Sequence, residues 1–560
     1  MNITFKNEIK PQDNLNIKYI FNLILKSRHI KNLDEFLDPP SPLDLILKNF
    51  GSYKKSFEKV LKILKEIKEK DQMIVVYTDY DADGITGGAI LWETLYLLDF
   101  KVRPYVPHRK LEGYGFSKIG INNVKKKFDP ALIISVDHGI TKVEEIKYAE
   151  SLGIKIIVTD HHLKGDKIPT ASEAIFHIPA LSGSGVAYFF AKEIYASFQK
   201  SKITEKSSKT LKRNFQTDYL ALATIGTIAD LVPLVGPSRS LVKHGLKTFN
   251  EIKRFGIKHI LKQAGIENKK ITPYEVGFMI APRINAIGRL EHAIDALRLL
   301  CTNDERKAYD LAHKIGNVNI ERQELVEKSV AEAKKIINSQ SAKSLIKNKI
   351  IILVSNEWHE GIIGLIASKI AEEFYRPTLI LTKTNGGYKG SARSIPSFHI
   401  TKFLLSLKKN LINVGGHKQA AGFTLKKNQL NNFVKNAQKL AKKLINDNDL
   451  ERKIEADLKI PISKINLDLV KSLEALEPYG ISNPRPTFYS EGILTGVRLL
   501  GKTLKHLKIF VDGLELLAFN QADKYKELSG GQKIKVVYSL EVDRWNGKEK
   551  LKGKIFYLTF

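Results

Sequence analysis

Three short apolar runs, at 73–78, 131–136 and 154–159, each end directly in an acidic cluster: DYDADG at 79–84, Asp137-His138-Gly139, and Asp160-His161-His162. Runs of this type alternate with helical stretches from about 71 to 180, with two more at 101–106 and 174–178. The alternation predicts a parallel sheet with crossover helices. In such open sheets the ligand crevice lies beyond the carboxyl ends of the strands. Asp79, Asp81, Asp83, Asp137, Asp160, His161 and His162, far apart in sequence, would therefore share one crevice. Like charges raise one another's pKa, so this many carboxylates need compensation, and divalent cations are the simplest form of it.

Within DYDADG, Asp79, Asp81 and Asp83 recur at every second residue, a spacing that lets two or three carboxylates fan around one or two cations. An EF-hand loop is the alternative, but its spacing and its closing glutamate are absent. Two adjacent histidines after an apolar strand have no packing rationale, although one of them could act as a cap. A fourth acid, Asp230, stands in the mostly apolar GTIADLVPL at 226–234. A buried carboxylate there needs a partner, and a helix N-cap is the competing role. Oxygen and nitrogen donors without sulfur favour Mn²⁺ or Mg²⁺, and histidine tilts the choice towards Mn²⁺.

The formal charge of +30 over 560 residues makes a polyanion the natural partner, nucleic acid first; a lysine-rich background is the bland alternative. The single cysteine, Cys301, excludes an intrachain disulfide framework and a thiolate zinc cluster. The start MNITFKNEIK is polar and no apolar run reaches transmembrane length, which predicts a soluble cytoplasmic protein with no membrane partner.

The chain reads as α/β and multidomain. The expected divisions begin with a mostly helical segment at 1–70 and a parallel-sheet catalytic domain at 71–265. Long connecting helices at 266–345 follow, charged, periodic and free of Gly and Pro after Gly316. A second α/β domain at 346–447 carries Gly-rich turns at Gly386-Gly387, Gly390 and Gly415-Gly416. The tail, 448–560, holds five short strands that suit a small closed OB-like β-barrel.

In this order, DYDADG, VDHG, TDHH and GTIADLVPL resemble the phosphoesterase superfamily named for its Asp-His-His (DHH) motif. Further segments are PHR at 107–109, EGYG at 112–115, LSGSGVA at 181–187, PRINAIGRL at 282–290 and WHEGIIGLIASKI at 358–370. To these are added GSARS at 390–394, GGHKQAAGF at 415–423, LEPYGISNPRPTF at 476–488 and HLKIFV at 506–511. Together they narrow the resemblance to the superfamily's bacterial single-strand-specific 5′→3′ exonucleases, from about residue 70 onward.

That resemblance implies two Mn²⁺ or Mg²⁺ ions, with Asp137 bridging them, Asp81 helped by Asp79 on one, and Asp83, His161 and Asp230 on the other. His162 would face the scissile phosphate and Asp160 would orient its neighbours. The implied reaction is phosphodiester hydrolysis of single-stranded DNA to 5′-mononucleotides, in DNA repair and recombination. The second α/β domain would be the substrate-binding domain of the DHHA1 type. Its segment 390–394 would grip a phosphate through backbone N–H groups, Ser391 and Arg393, with His417 close by and Arg109 on the catalytic side. Arg283 and Arg289 would line the path of the strand, and Tyr114 would stack on a base. Lys502, Lys505 and Lys508 would extend a basic track along the barrel. A single-strand-binding protein and a helicase are the implied protein partners.

Two features depart from the family pattern: Ala392 stands where Gly is frequent, and the link at 163–180 is short. Two other readings compete. An oligonucleotide or cyclic-dinucleotide phosphodiesterase would need neither the tail barrel nor the helical bridge. A non-catalytic replication scaffold would not need the complete set of Asp79, Asp81, Asp83, Asp137, His161 and Asp230.

Overall fold

In the computed structural model, which describes residues 2–13, 16–199, 203–339, 348–545 and 547–559, the N-terminal segment opens with a strand, β1 (Asn2–Glu8), where the sequence predicts helix. Helices Ile17–Lys26, Leu33–Leu37 and Lys54–Glu69 follow it. The helical expectation missed β1 because its partner is remote: Ile9 N–H donates to the Lys459 carbonyl at 2.8 Å and Lys6 Nζ lies 3.0 Å from Asp457.

The next five strands form the predicted parallel sheet: β2 (Ile74–Thr78), β3 (Val102–Tyr105), β4 (Leu132–Val136), β5 (Lys155–Asp160) and β6 (Ala174–His177). Their order is β3-β2-β4-β5-β6. Every residue of β2 and β4 is buried. One face of the sheet packs against helices Lys118–Phe128 and Val143–Ser151, the other against Ala82–Leu97 and Gly183–Phe198. Covering both faces is what makes these strands unbroken apolar runs. The chain leaves β2 towards β3 on one side and returns to β4 on the other, so a switch in strand order falls between β2 and β4, where an open α/β sheet places its ligands.

A second sheet holds β7 (Ile351–Ser355), β8 (Thr378–Thr384), β9 (Gly387–Arg393), β10 (Asn413–Gly416) and β11 (Ala420–Leu425), in the order β10-β11-β9-β8-β7. Only β7 and β8 run parallel. The helix Leu430–Leu444 closes its core with Phe433, Ala437 and Ala441.

The tail forms β12 (Lys453–Lys459), β13 (Thr487–Leu500), β14 (His506–Val511), β15 (Leu514–Ala518), β16 (Lys533–Trp545) and β17 (Lys548–Thr559). Pairings run β13-β14-β15-β17-β16 and return from β16 to β13, which closes a five-stranded barrel. Closure removes the free sheet edges. Strands β12 and β1 continue outward from β13. Lys508 does not extend an open basic track: its ammonium pairs with buried Glu515, which Lys550 also contacts.

The chain divides into two compact units, one of Phe5–Gly316 with Glu455–Phe560, the other built on Asn317–Ile454. The catalytic sheet, the barrel and the N-terminal helices thus form one unit, and residues 266–316 belong to it rather than to a separate bridge. The boundary falls inside one 34-residue helix, Glu305–Asn338. The expected bridge at 340–345 and the first two residues of the second domain, 346–347, lie outside the described residues.

Within the larger unit, Arg239 is fully buried without a carboxylate partner among the described residues. Its guanidinium donates to the carbonyls of Phe36, Leu476, Glu477 and Pro478 and lies 3.7 Å over the Phe36 ring. One side chain therefore joins the N-terminal segment, the helix Gly236–Gly245 and the approach to the barrel. Among the described residues no helix is long and apolar enough to cross a membrane.

Candidate active site

The loop after β2 turns at once into the helix Ala82–Leu97. Asp81 is its N-cap, with Oδ1 accepting from the N–H groups of Asp83 and Gly84 at 3.0 and 3.1 Å. Such a cap satisfies two otherwise orphaned amides and fixes the loop's exit. Asp83 points to the start of the helix Gly183–Phe198, where its carboxylate accepts from Gly183 N–H at 2.6 Å and Ser184 N–H at 2.9 Å. Glycines of two motifs permit this approach: a Cβ on Gly183 of LSGSGVA would lie 2.4 Å from Asp137 Oδ1, and one on Gly226 of GTIADLVPL would lie 2.3 Å from Asp83 Oδ1.

Asp137 leaves β4 in the left-handed region, at φ +69°. Its neighbour His138 turns into the core, Nε2 3.1 Å from the Tyr77 carbonyl, and burial lowers its pKa to about 4. After β5, Asp160 is enclosed by donors: Oδ2 accepts from Ile140 N–H, and Oδ1 from the N–H groups of His161 and His162. His162 Nδ1 lies 2.8 Å from the same Oδ1. Asp230 is the C-cap of the helix Asp218–Ala229, not an N-cap. A carboxylate at the negative end of a helix is unfavourable unless a cation lies near it.

These groups converge. His161 Nε2 lies 3.1 Å from Asp137 Oδ1, 3.4 Å from Asp230 Oδ2 and 3.8 Å from Asp83 Oδ2. Burial, then mutual repulsion, holds Asp79 and Asp137 well above the ordinary carboxylate range and raises Asp81. Asp230 is pushed up to about 8 by burial and by the charges of Asp83 and Asp81. His161 is lowered by burial, which favours a neutral imidazole able to act as a ligand. In the neighbouring pair the order is reversed. Burial opposes the charge on both partners, but their hydrogen bond and attraction prevail, holding Asp160 below its usual range and raising His162 to about 9.

The donor set fits divalent cations. Asp79 Oδ1, Asp137 Oδ1 and His161 Nε2 are buried without a hydrogen-bond partner, which is costly unless something else occupies them. Three triads bring one ligand atom from each member within 4.8 Å of the others: Asp79, Asp81 and Asp137; Asp83, His161 and Asp230; Asp137, His161 and His162. All offer oxygen or imidazole nitrogen, as Mn²⁺ or Mg²⁺ requires.

Aromatic and basic groups flank the cluster. Tyr114 is 43% exposed; its hydroxyl lies 3.1 Å from His162 Nε2 and its ring meets Tyr80 edge-on. Arg109 lies 5.0 Å over the Tyr80 ring. Burial, then the charge of Asp79, raises the Tyr80 phenol pKa, while Arg109 and Arg289 oppose the rise. Arg283 is half-buried and donates to the carbonyl of Met279 in the turn before its helix, so only part of its guanidinium can face a strand.

Sequence reasoning missed Tyr80 and Asn285. Asn285 Oδ1 accepts from Ala82 N–H at 2.8 Å and so ties PRINAIGRL to the first acidic loop. A separation of 203 residues hid this contact, although an asparagine between two motif arginines was visible.

Ser391, Arg393 and His417 belong to the other unit. The segment 390–394 is not a loop offering its amides. Residues 390–393 lie in β9, paired with both β8 and β11, and a Cβ on Gly390 would fall 2.2 Å from the Phe423 ring. Their N–H groups belong to the sheet, so side chains carry any anion contact. Arg393 donates to Ser368 Oγ at 3.1 Å, Ser391 Oγ at 3.2 Å and the Ala392 carbonyl at 2.9 Å. Burial lowers its pKa, and none of these partners is a carboxylate. His417 is exposed beyond β10, its N–H donating to the Ala420 carbonyl.

Comparison with known proteins agrees with this architecture. Residues 73–227 match the DHH family, N-terminal domain; residues 347–443 match the DHHA1 domain; residues 456–556 match the RecJ OB domain. The fold and the carboxylate–histidine cluster thus define a protein of the DHH phosphoesterase class. Within that class the chain belongs to the RecJ family. It is 32% identical over 522 residues to the single-stranded-DNA-specific exonuclease RecJ of Thermus thermophilus, covering 92% of this chain and 71% of the relative. Identity to the Bacillus subtilis protein of the same name is also 32%, over 87% of this chain; the match spans 61% of that relative's length. The Haemophilus influenzae RecJ is 29% identical, with 96% and 95% covered. The crystal structure of Thermus thermophilus RecJ in complex with Mn²⁺ superposes with a TM-score of 0.81 at 28% identity, covering all of this chain and 80% of that one.

Proposed function

We propose that the chain is a metal-dependent exonuclease that degrades single-stranded DNA from its 5′ end to 5′-mononucleotides, in repair and recombination. The observation that carries this reading is the buried cluster of carboxylates and His161, whose oxygens and nitrogen lack hydrogen-bond partners at three positions. The names of its relatives supply the substrate class. Asp79, Asp81 and Asp137 would hold one Mn²⁺ or Mg²⁺, and Asp83, His161 and Asp230 another, with Asp137 shared. Bound there, such ions supply Lewis acidity towards a phosphodiester and ease deprotonation of water.

The chain's own groups have separate tasks. Asp160 aims His162 through Nδ1 and favours its protonated form, in which His162 would donate to a phosphoryl oxygen. Tyr114 holds the other imidazole nitrogen until substrate replaces it. Arg109, braced on Tyr80, is a second cation for the phosphate. In the other unit, Arg393 with Ser391 and Ser368 offers a guanidinium and hydroxyls to a terminal 5′-phosphate, which would set polarity. Such an enzyme works where the chromosome is, in the cytoplasm, and calls for a helicase and a single-strand-binding protein to present its strand.

The test is incubation with Mn²⁺ and single-stranded oligonucleotides labelled at either end, beside a blunt duplex and an Asp137→Ala control. Release of labelled mononucleotide from the 5′ end alone, absent in the control, is expected. Hydrolysis restricted to very short fragments would replace this reading with a small-substrate phosphodiesterase.

A further inference from the structure

A pair of aromatic rings on the catalytic unit faces outward. Thr272 and Glu275 form a capping box that starts a helical turn at Pro273. The turn widens into a π-helical stretch, Val276–Ile280, a rare conformation that is frequent at functional sites. Val276 and Ile280 are fully buried and supply the core face of this segment. Tyr274 and Phe278 lie on the other side, 58% and 71% exposed, with ring centroids 4.9 Å apart and planes within 28°.

This stretch packs on the helix that ends at Asp230: a Cβ on Gly277 would lie 3.7 Å from Ile228 Cγ2. The residue after Asp230 is Leu231, 66% exposed and held at φ +58°. A non-glycine residue in that region carries strain, and strain persists where surrounding structure imposes it. Three residues on, Leu234 N–H donates to the carbonyl of Ile481, itself 47% exposed, at the approach to the barrel. Exposed apolar side chains thus stand on segments that adjoin Asp230, a carboxylate of the cluster, in a chain of formal charge +30. Phosphates are served by the basic groups; apolar and aromatic faces have no use for them. Unpaired nucleobases present flat π-faces that stack on such rings.

We propose that Tyr274, Phe278 and Leu231 form a stacking platform for unpaired nucleobases next to the scissile phosphate. This rests on the exonuclease reading and adds to it the surface that recognises bases as opposed to backbone. A paired base has its faces covered by its neighbours in the duplex, so the platform favours single strands independently of any channel width.

The test uses the full chain with Ca²⁺ in place of Mn²⁺ and an oligonucleotide carrying 2-aminopurine near its 5′ end, whose fluorescence reports stacking. Phe278→Ala is expected to weaken binding about ten-fold and to abolish most of the fluorescence change, with Phe278→Trp restoring both. An abasic tract at the same positions is expected to weaken the unaltered protein about as much, and the Phe278→Ala variant no further. The Mn²⁺-induced rise in melting temperature, which both variants should keep, shows that fold and metal cluster survive. Unchanged binding in Phe278→Ala, an equal loss for a blunt duplex, or an undiminished abasic penalty would each overturn the platform. Phe278-dependent quenching in a protein that hydrolyses no DNA would keep the platform and reject the nuclease.

Discussion

Each unit holds a site dominated by one sign of charge, and the two sites hold it differently. In the larger unit, several carboxylates press together until burial and repulsion lift their pKa values. In the smaller, Arg393 is enclosed by hydroxyls and a carbonyl with no carboxylate among its partners. A stability-driven design would pair opposite charges, as Arg254 and Glu93 do in the core. On the proposed function each site would keep its charge for something that arrives from solution: cations for the aspartates, an anion for the arginine.

The comparison breaks first at Asp137. Asp137→Ala should cut hydrolysis of single-stranded DNA by about 10³-fold, since a shared ligand supports several kcal/mol of transition-state stabilisation. The same variant should melt no lower than the parent without metal, because it removes one of several repelling charges. Metal-free calorimetry checks this, and a clear loss of stability would show that Asp137 holds the fold together.

On the other side, Arg393→Met should raise KM about 10- to 100-fold for a 5′-phosphorylated strand, the worth of charge-assisted hydrogen bonds. A 5′-hydroxyl strand should change little. An equal effect on both would move Arg393 from the terminal phosphate to the general backbone.

Asn285→Ala should raise the Mn²⁺ concentration for half-maximal binding about ten-fold, as loss of a supporting hydrogen bond around ligands commonly does. Titration of the Mn²⁺ electron paramagnetic resonance signal reads this without turnover.

The smallest effect is on pH and stability. Asp230 titrates at about 8 in the folded chain, whereas an unfolded aspartate titrates near about 4. Between these values the folded state binds more protons than the unfolded one, so stability of the metal-free protein should fall as pH rises through that window. Saturating Mn²⁺ should flatten the slope. A metal-free melting temperature that rises over the same range would contradict the charge assignment.

What was legible in the sequence is what local pattern encodes. Unbroken apolar runs gave the strands, and the acids directly after them gave the crevice, because a strand end and its following residue are neighbours in both chain and space. The tail's five short strands gave the barrel. What stayed hidden depends on partners hundreds of residues away. Arg239 looks like any surface arginine until Phe36 and Leu476 close over it. GSARS looks like a phosphate loop until β8 and β11 flank it. An N-cap competes with the ligand role of Asp230 in the sequence, and only the helix before it shows that it ends one.

Strand β1 has a consequence for synthesis. Its contacts, Lys6 with Asp457 and Ile9 with Lys459, join residues about 450 apart in the chain. At roughly 5–20 residues per second a ribosome needs on the order of 20 to 90 s to cover that distance. Throughout that interval Phe5, which ends against Tyr489, has no native surface to rest on. A segment made among the first is therefore among the last to dock, and until it does the outer edge of β12 stays unpaired and open to mispairing.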